Sequence, residues 1–310
     1  MEQDQVYDLA VVGAGVAGYT ASIYASRYQI NNVVIGELPG GMISEAYRVC
    51  NFPTEIDISG AELTQKMQSH AKQLGANEIS DLVKSVTKNL DRTFTLELSS
   101  QGPIKARVVL LATGTKRRRL GVPGEKEFSG KGVAYCATCD GFFYKGKVVA
   151  VIGGSDTANT AALYLATLAE KVYQIYRGPT LRGVPVWVDQ IAKNPKIELV
   201  LNTNVVAMKG DQKLAQLELD TPYNGSATVS VDGVFIEIGA DPDNILAQGL
   251  GVELSEYGYI EVKENQSTNI AGIYAAGDNT TASNKFQQVV TACSEGAIAA
   301  ASIREFLQTQ

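Results

Sequence analysis

The chain has 310 residues, enough for about two domains of ordinary size, and its 45% hydrophobic and 19% charged residues describe a globular protein able to bury two cores. Its 33 acidic residues outweigh 27 basic ones, for a net charge of -6, which disfavours nucleic acid as a partner because neutralising phosphates takes an excess of clustered Lys and Arg. No apolar run approaches the roughly 20 residues of a membrane-spanning helix, and the single histidine, His70, excludes a multi-histidine metal site.

The opening MEQDQVYDLAVVGAG lacks a basic segment ahead of an apolar core, so no signal peptide is expected and the expected compartment is the cytoplasm. From Asp8, DLAVVGAGVAGYTASIYASR passes from a short apolar strand through a glycine turn into a helix of small residues. Gly13, Gly15 and Gly18 complete GxGxxG: the first makes the turn, the second admits a pyrophosphate against the backbone, and the third lets helix pack on strand. The helix N-terminus would face the phosphates with its partial positive charge, which favours a dinucleotide over a purely structural turn. A second strand, NVVIGE, ends at Glu37, a candidate for ribose hydroxyls. His70, in MQSHAKQLG, sits at a helix end in a surface or capping setting.

Polar strands such as TFTLELSS and the run ARVVLLATGT lead to one basic cluster, KRRR at Lys116 to Arg119, and then to YCATCDG. There Cys136 and Cys139 stand close enough for a disulfide. In a cytoplasmic chain such a pair is more often catalytic or metal-binding than structural. Zinc wants four ligands, whereas Cys50 and Cys293 are isolated, so no metal is expected and a dithiol/disulfide couple is the favoured chemistry. Asp140 can hand a proton to or from the thiols, its plainer reading being a polar turn residue before Gly141. Cys50 and Cys293 are expected to be inert packed thiols.

From Lys147, KVVAVIGGSDTANTAALYLA repeats the first design, Gly153 aligning with Gly13 at an offset of 140 residues, and KVYQIYR follows as its second strand. Two nucleotide-binding folds with parallel sheets are therefore expected. In the second turn Ser155 stands where Gly15 stands in the first. ELVLNTNVVAMKG and ATVSVDGVFIEIGA extend this half. The tail runs from GIYAAGDN, where Asp278 at a strand end can accept from a ribityl hydroxyl, to the helix of QQVVTACSEGAIAAASIREFL.

Taken together, GAGVAG, ATG at Ala112 to Gly114, CATCDG, the second glycine turn and AAGD before a final helix resemble the low-molecular-weight thioredoxin reductases. The resemblance runs from about Asp8 to the last helix. It implies an α/β chain of two Rossmann-like, three-layer nucleotide-binding domains, the second inserted in the first. Residues 1–115 and 244–310 would form the FAD domain, and 116–243 a central NAD(P)H-binding-like domain carrying the dithiol. It implies a homodimer, and it puts Gly13, Gly15, Ala17, Gly18, Glu37, Gly41, Asn51, Thr113, Gly114, Asp278 and Gln288 on FAD. Cys139 would face the flavin, Cys136 would attack the disulfide of thioredoxin, and Asp140 would be the acid.

Two departures bear on the electron donor. Ser155 intrudes where backbone should touch pyrophosphate. The strand-end motif HRRDxFR, which grips a 2′-phosphate, reads YRGPTLR here, keeping Arg177 and Arg182 but putting Gly178 and Pro179 in place of an arginine and the acid. Losing one bidentate clamp costs about a few kcal/mol, so NADPH is doubtful. A subgroup of the family takes electrons from ferredoxin, whose acidic surface KRRR would suit; the plainer reading of KRRR is a hinge with solvated charges. Three readings stand: a thioredoxin-directed flavin enzyme fed by ferredoxin or another protein, a conventional NADPH-dependent thioredoxin reductase, and a redox sensor or disulfide oxidoreductase whose central domain holds another nucleotide, conceivably a second FAD.

Overall fold

A computed structural model describes residues 6–310. In chain order, β1 (Val6–Val12), α1 (Val16–Arg27), β2 (Asn32–Ile35), α2 (Gly60–Gln73), β3 (Asn77–Ile79), β4 (Val83–Lys88), β5 (Phe94–Leu98) and β6 (Ile104–Leu111) precede β7 (Thr115–Arg117), the first crossing out of this unit. The inserted unit holds β8 (Val133–Ala134), α3 (Ala137–Asp140), β9 (Val148–Ile152), α4 (Asp156–Leu168), β10 (Lys171–Tyr176), α5 (Pro185–Lys193) and β11 (Ile197–Leu201). It continues through β12 (Val205–Gly210), β13 (Leu214–Tyr223), β14 (Ser226–Ser230) and β15 (Gly233–Ile236). The chain returns at β16 (Ala240–Pro242) and ends with α6 (Ile245–Leu250), β17 (Ile273–Ala275) and α7 (Val289–Gln308). The compact units are the residues up to Lys116 with Asp241–Gln310, and Arg117–Ala240.

In the first unit the sheet order is β3-β2-β1-β6-β5-β4, with β17 also pairing β6. The strands flanking the glycine turn are parallel, Val12 lying opposite both Ile35 and Leu111, whereas β4, β5 and the start of β6 pair antiparallel. Side chains alternate across a strand. Leu9 and Val11 of β1 and Val108 and Leu110 of β6 therefore meet α1 and α7, while Ala10, Val12, Val109 and Leu111 meet a core shared with β4, β5 and α6. A sheet buried on both faces explains why these strands read as unbroken apolar runs. Helices α1 and α7 approach closely because both carry small residues: a Cβ at Gly296 would stand 2.3 Å from the carbonyl oxygen of Ala17.

The inserted unit repeats this arrangement around an all-parallel sheet, β11-β10-β9-β15-β8. Val149 and Val151 pack with α4; Ala150 and Ile152 pack on the three-stranded antiparallel sheet β12-β13-β14. This is the doubly built α/β fold that the repeat predicts, with one layer of the second unit made of strands rather than helices. Among the described residues no helix is long and apolar enough to cross a membrane.

Candidate active site

The three glycines of the first turn do three different things. Gly13 has φ +121°, which an L side chain rarely adopts, and a Cβ there would lie 2.1 Å from the carbonyl oxygen of Ala112. A Cβ at Gly18 would lie 2.0 Å from the carbonyl oxygen of Gly13, so helix and turn touch through it. Gly15 is neither strained nor crowded: its backbone is extended (φ -86°, ψ -174°), and a Cβ there would meet nothing within 4 Å. That open space lies in front of α1, whose N-cap offers no side-chain hydrogen bond, so the helix amides face outward for an anion.

Other candidates close around this cradle. Gly41, at φ +61°, would put a Cβ 3.2 Å from the Cα of Gly15, and Gly277, at φ +95°, would put one 3.1 Å from the Cβ of Ala17. The hydroxyl of Thr113 donates to the carbonyl of Asp243 at 2.6 Å and accepts from the Asn279 amide at 3.0 Å, while the Gly114 carbonyl accepts from Asp243 N–H. Asn51 and Gln288, 237 residues apart, are joined by a 2.8 Å bond from Asn51 Nδ2 to Gln288 Oε1, and Gln288 caps α7 in a capping box with Thr291. Its neighbour Gln287 donates to the Asp278 carbonyl at 2.9 Å. Glu37 is exposed, two residues beyond β2.

The Asp278 side chain makes no hydrogen bond among the described residues, and burial together with the negative charge of Glu295 pushes its carboxyl up to about 6. An open pyrophosphate cradle and an unpartnered carboxylate fit a flavin dinucleotide. The sequence reading missed the groups that hold this loop. Glu295, 4% exposed, accepts from Gly277 N–H at 2.8 Å and from the Thr280 hydroxyl at 3.0 Å, and Asn279, fully buried, donates to the Leu111 carbonyl. A lone acid in the small-residue run TACSEGAIAAA was the available sign for Glu295.

In the inserted unit, Cys136 and Cys139 form a disulfide (S–S 2.07 Å, Cα–Cα 5.4 Å) at the start of α3. The backbone N–H of Cys139 donates to the sulfur of Cys136 at 3.1 Å, and Thr138 Oγ1 lies 3.6 Å from it. Cys136 is buried and Cys139 exposed. Asp140 follows at half-exposure, its N–H bonded to the Cys136 carbonyl. Gly141 lets α3 rest on α4, since a Cβ there would lie 2.9 Å from the Tyr164 ring.

Of the remaining cysteines, Cys293 is half-buried and burial pushes its thiol up, as an inert thiol requires. Cys50 is a correction: it is exposed, because it lies in an irregular loop rather than on a packed element. His70 lies exposed in the last turn of α2.

The second glycine turn keeps the backbone of the first. Gly153 N–H bonds the Ile175 carbonyl as Gly13 N–H bonds that of Ile35, and Ser155 (φ -100°, ψ -179°) caps α4 as Gly15 caps α1. Ser155 makes no capping bond, and with the backbone of Gly15 it carries a Cβ at the position that Gly15 leaves open. Tyr176 stands where the first unit has Gly36. Its ring covers Gly154 and Gly178, where a Cβ would lie 2.5 Å away in either case. In the first unit the bulk is on the other partner, Ala14 lying 2.8 Å from a Cβ at Gly36. The following loop is tied back onto the turn by Arg182 N–H to the Gly154 carbonyl and Val184 N–H to Asp156 Oδ1, both 2.7 Å, with the Arg182 guanidinium 5.9 Å from the Tyr176 ring.

The basic cluster makes several contacts within the chain. Lys116 pairs with Asp243 and Arg117 with buried Glu237, each at 3.0 Å, the Arg118 guanidinium donates to the Ala240 carbonyl at 3.5 Å, and Arg119 lies over the Tyr135 ring. Lys116, Arg118 and Arg119 are nevertheless exposed.

A dinucleotide cradle and a redox-active dithiol on one chain define a disulfide oxidoreductase. Residues 7–296 match the family of pyridine nucleotide-disulphide oxidoreductases. Over 311 residues the chain is 36% identical to the thioredoxin reductase of Bacillus subtilis (strain 168), covering 99% of this chain and 97% of that one. The crystal structure of Lactococcus lactis thioredoxin reductase in the FR conformation matches with a TM-score of 0.92 at 30% identity, over 98% of this chain and 100% of the other. A ferredoxin-flavin thioredoxin reductase from Clostridium acetobutylicum matches with a TM-score of 0.53 at 32% identity, over 98% and 99%. The chain belongs to the low-molecular-weight thioredoxin reductase family. It is an FAD-linked disulfide reductase whose redox-active pair is Cys136 and Cys139.

Proposed function

We propose that this enzyme reduces the disulfide of thioredoxin. The carrying observation is the Cys136–Cys139 disulfide with the Cys139 N–H on the Cys136 sulfur. When bound, FAD supplies an electron pair. With two protons that pair opens the disulfide to a dithiol. The Cys136 thiolate then attacks one sulfur of the thioredoxin disulfide, forming a mixed disulfide and releasing the other sulfur as a thiolate. Cys139 displaces the remaining thioredoxin sulfur, which restores the Cys136–Cys139 bond. Asp140 carries the proton that the leaving thiolate takes up. Since Cys136 is buried in the oxidised chain, its sulfur must be uncovered before a protein disulfide can reach it.

For the electron donor, the comparisons support the conventional reading, a pyridine nucleotide, better than a protein donor. The matched family is described by its pyridine nucleotide, and two solved relatives with TM-scores of 0.92 and 0.90 are called thioredoxin reductases without further qualification. Gly153, Ala158, Arg177 and Arg182 remain for such a ligand. A protein donor such as ferredoxin is the second reading. It is favoured by Ser155 in place of the middle glycine and by Gly178 and Pro179 in the strand-end motif, and a relative is named for ferredoxin.

Anaerobic addition of NADPH or NADH to the flavin-loaded protein separates them. Bleaching of the visible flavin band within seconds supports the nucleotide. No bleaching, with full reduction by reduced ferredoxin, supports the protein donor. We place the enzyme in the cytoplasm as a homodimer, which sedimentation would test.

A further inference from the structure

Glu295 is a buried carboxylate in the middle of α7, and the two bonds it makes do not require its charge. Gly277 N–H and the Thr280 hydroxyl both donate to Oε2, and the oxygen of a neutral amide could also accept both. A buried charge costs free energy unless it is compensated. The consequence of the charge lies elsewhere: Glu295 and Asp278 line one small cavity with Gly277, Thr280, Lys285 and Gln287. Lys285 is the cation of this lining. Its ammonium sits over the rings of Tyr257 and Tyr259, at 4.8 and 5.3 Å, and forms no ion pair with either acid among the described residues.

We propose that Glu295 is a positioning residue for the flavin: its carboxylate fixes the Gly277–Asp278 peptide, and its charge beside Asp278 makes retention of FAD depend on pH. The inference rests on the reading of Asp278 as the acceptor for a flavin ribityl hydroxyl. A carboxylate accepts such a bond more strongly than a carboxylic acid does. Burial and the Glu295 charge hold the Asp278 carboxyl at about 6. Above that pH it is ionised and grips the hydroxyl; as pH falls through it the proton weakens the grip. Removing the neighbouring charge lets Asp278 stay ionised to lower pH, so retention extends toward acid.

The test is flavin release from the holoprotein between pH 5 and 8, read as free FAD fluorescence after gel filtration, with circular dichroism confirming the fold. Glu295→Gln keeps an acceptor oxygen for Gly277 and Thr280 and is expected to move the release midpoint down by roughly half a pH unit. Asp278→Asn is expected to weaken retention about tenfold at pH 8 and to flatten its pH dependence. A flattened Asp278→Asn profile with an unmoved Glu295→Gln midpoint overturns the role of Glu295 alone. An Asp278→Asn profile with the wild-type pH dependence overturns Asp278 as the flavin contact. Should Glu295→Gln fail to fold, Glu295→Asp, which shortens the reach to the loop, is expected to release FAD more readily at every pH; unchanged release overturns the positioning role.

Discussion

Replacing Gly15 by Ser would build into the first turn what the second already contains. The two positions share a backbone conformation, φ -86° and ψ -174° against φ -100° and ψ -179°, and the added Cβ meets nothing within 4 Å. The flavin-free protein should therefore lose no stability. Reduced freedom of the unfolded chain contributes about 0.4–1 kcal/mol. For a chain of this size, that is a rise in Tm of about 2 °C. FAD binding should suffer because the side chain occupies the pyrophosphate space. Losing two charge-assisted bonds to backbone amides, at about 1.5 kcal/mol each, corresponds to roughly a 150-fold weaker Kd. Thermal unfolding of the apoprotein and fluorescence titration with FAD measure the two effects separately. A fall in apoprotein Tm of several degrees would mean the open space does not exist. Unchanged FAD affinity would show that a serine at this position is compatible with a pyrophosphate, removing the argument against a nucleotide at Ser155.

Three further outcomes are expected. Cys139→Ser should retain FAD yet lose turnover and accumulate a mixed disulfide between Cys136 and thioredoxin, visible on non-reducing gels; sustained turnover refutes the roles given to the two sulfurs. Ser155→Gly should raise the rate of flavin bleaching by NADPH about tenfold or more. Restoring an arginine at 178 in addition should help only if Tyr176 is made smaller, because its ring fills the space of a Cβ there. Extraction of nucleotide from the purified protein should yield one FAD per chain, and a value near two would move the central domain to the second-flavin reading.

What could be read from the sequence was what the backbone dictates locally. The glycine spacing, the CxxC and the AAGD turn are each set by neighbours within a few residues, and Gly13, Gly15 and Gly18 have the three environments their spacing implies. Contacts made across the chain were hidden. KRRR reads as free charge until Asp243 and Glu237, over a hundred residues downstream, are found against it. Whether Glu295 points outward or onto the flavin loop depends on how α7 is rotated about its axis. That rotation is set by the approach of Gly296 to Ala17, which no local pattern reveals. The stranded layer of the second unit was legible as strands, but not as the cover of a parallel sheet.

The opposite placement of bulk at the two turns, Ala14 against Gly36 and Gly154 against Tyr176, restricts how either sequence can change over time. Each turn has room for one side chain at that contact, so a methyl group gained at 154 requires the ring at 176 to be lost in the same step. Intermediates with both are overfilled, and intermediates with neither leave a void beside a strained glycine. The two turns thus share a backbone and still cannot be interconverted one residue at a time.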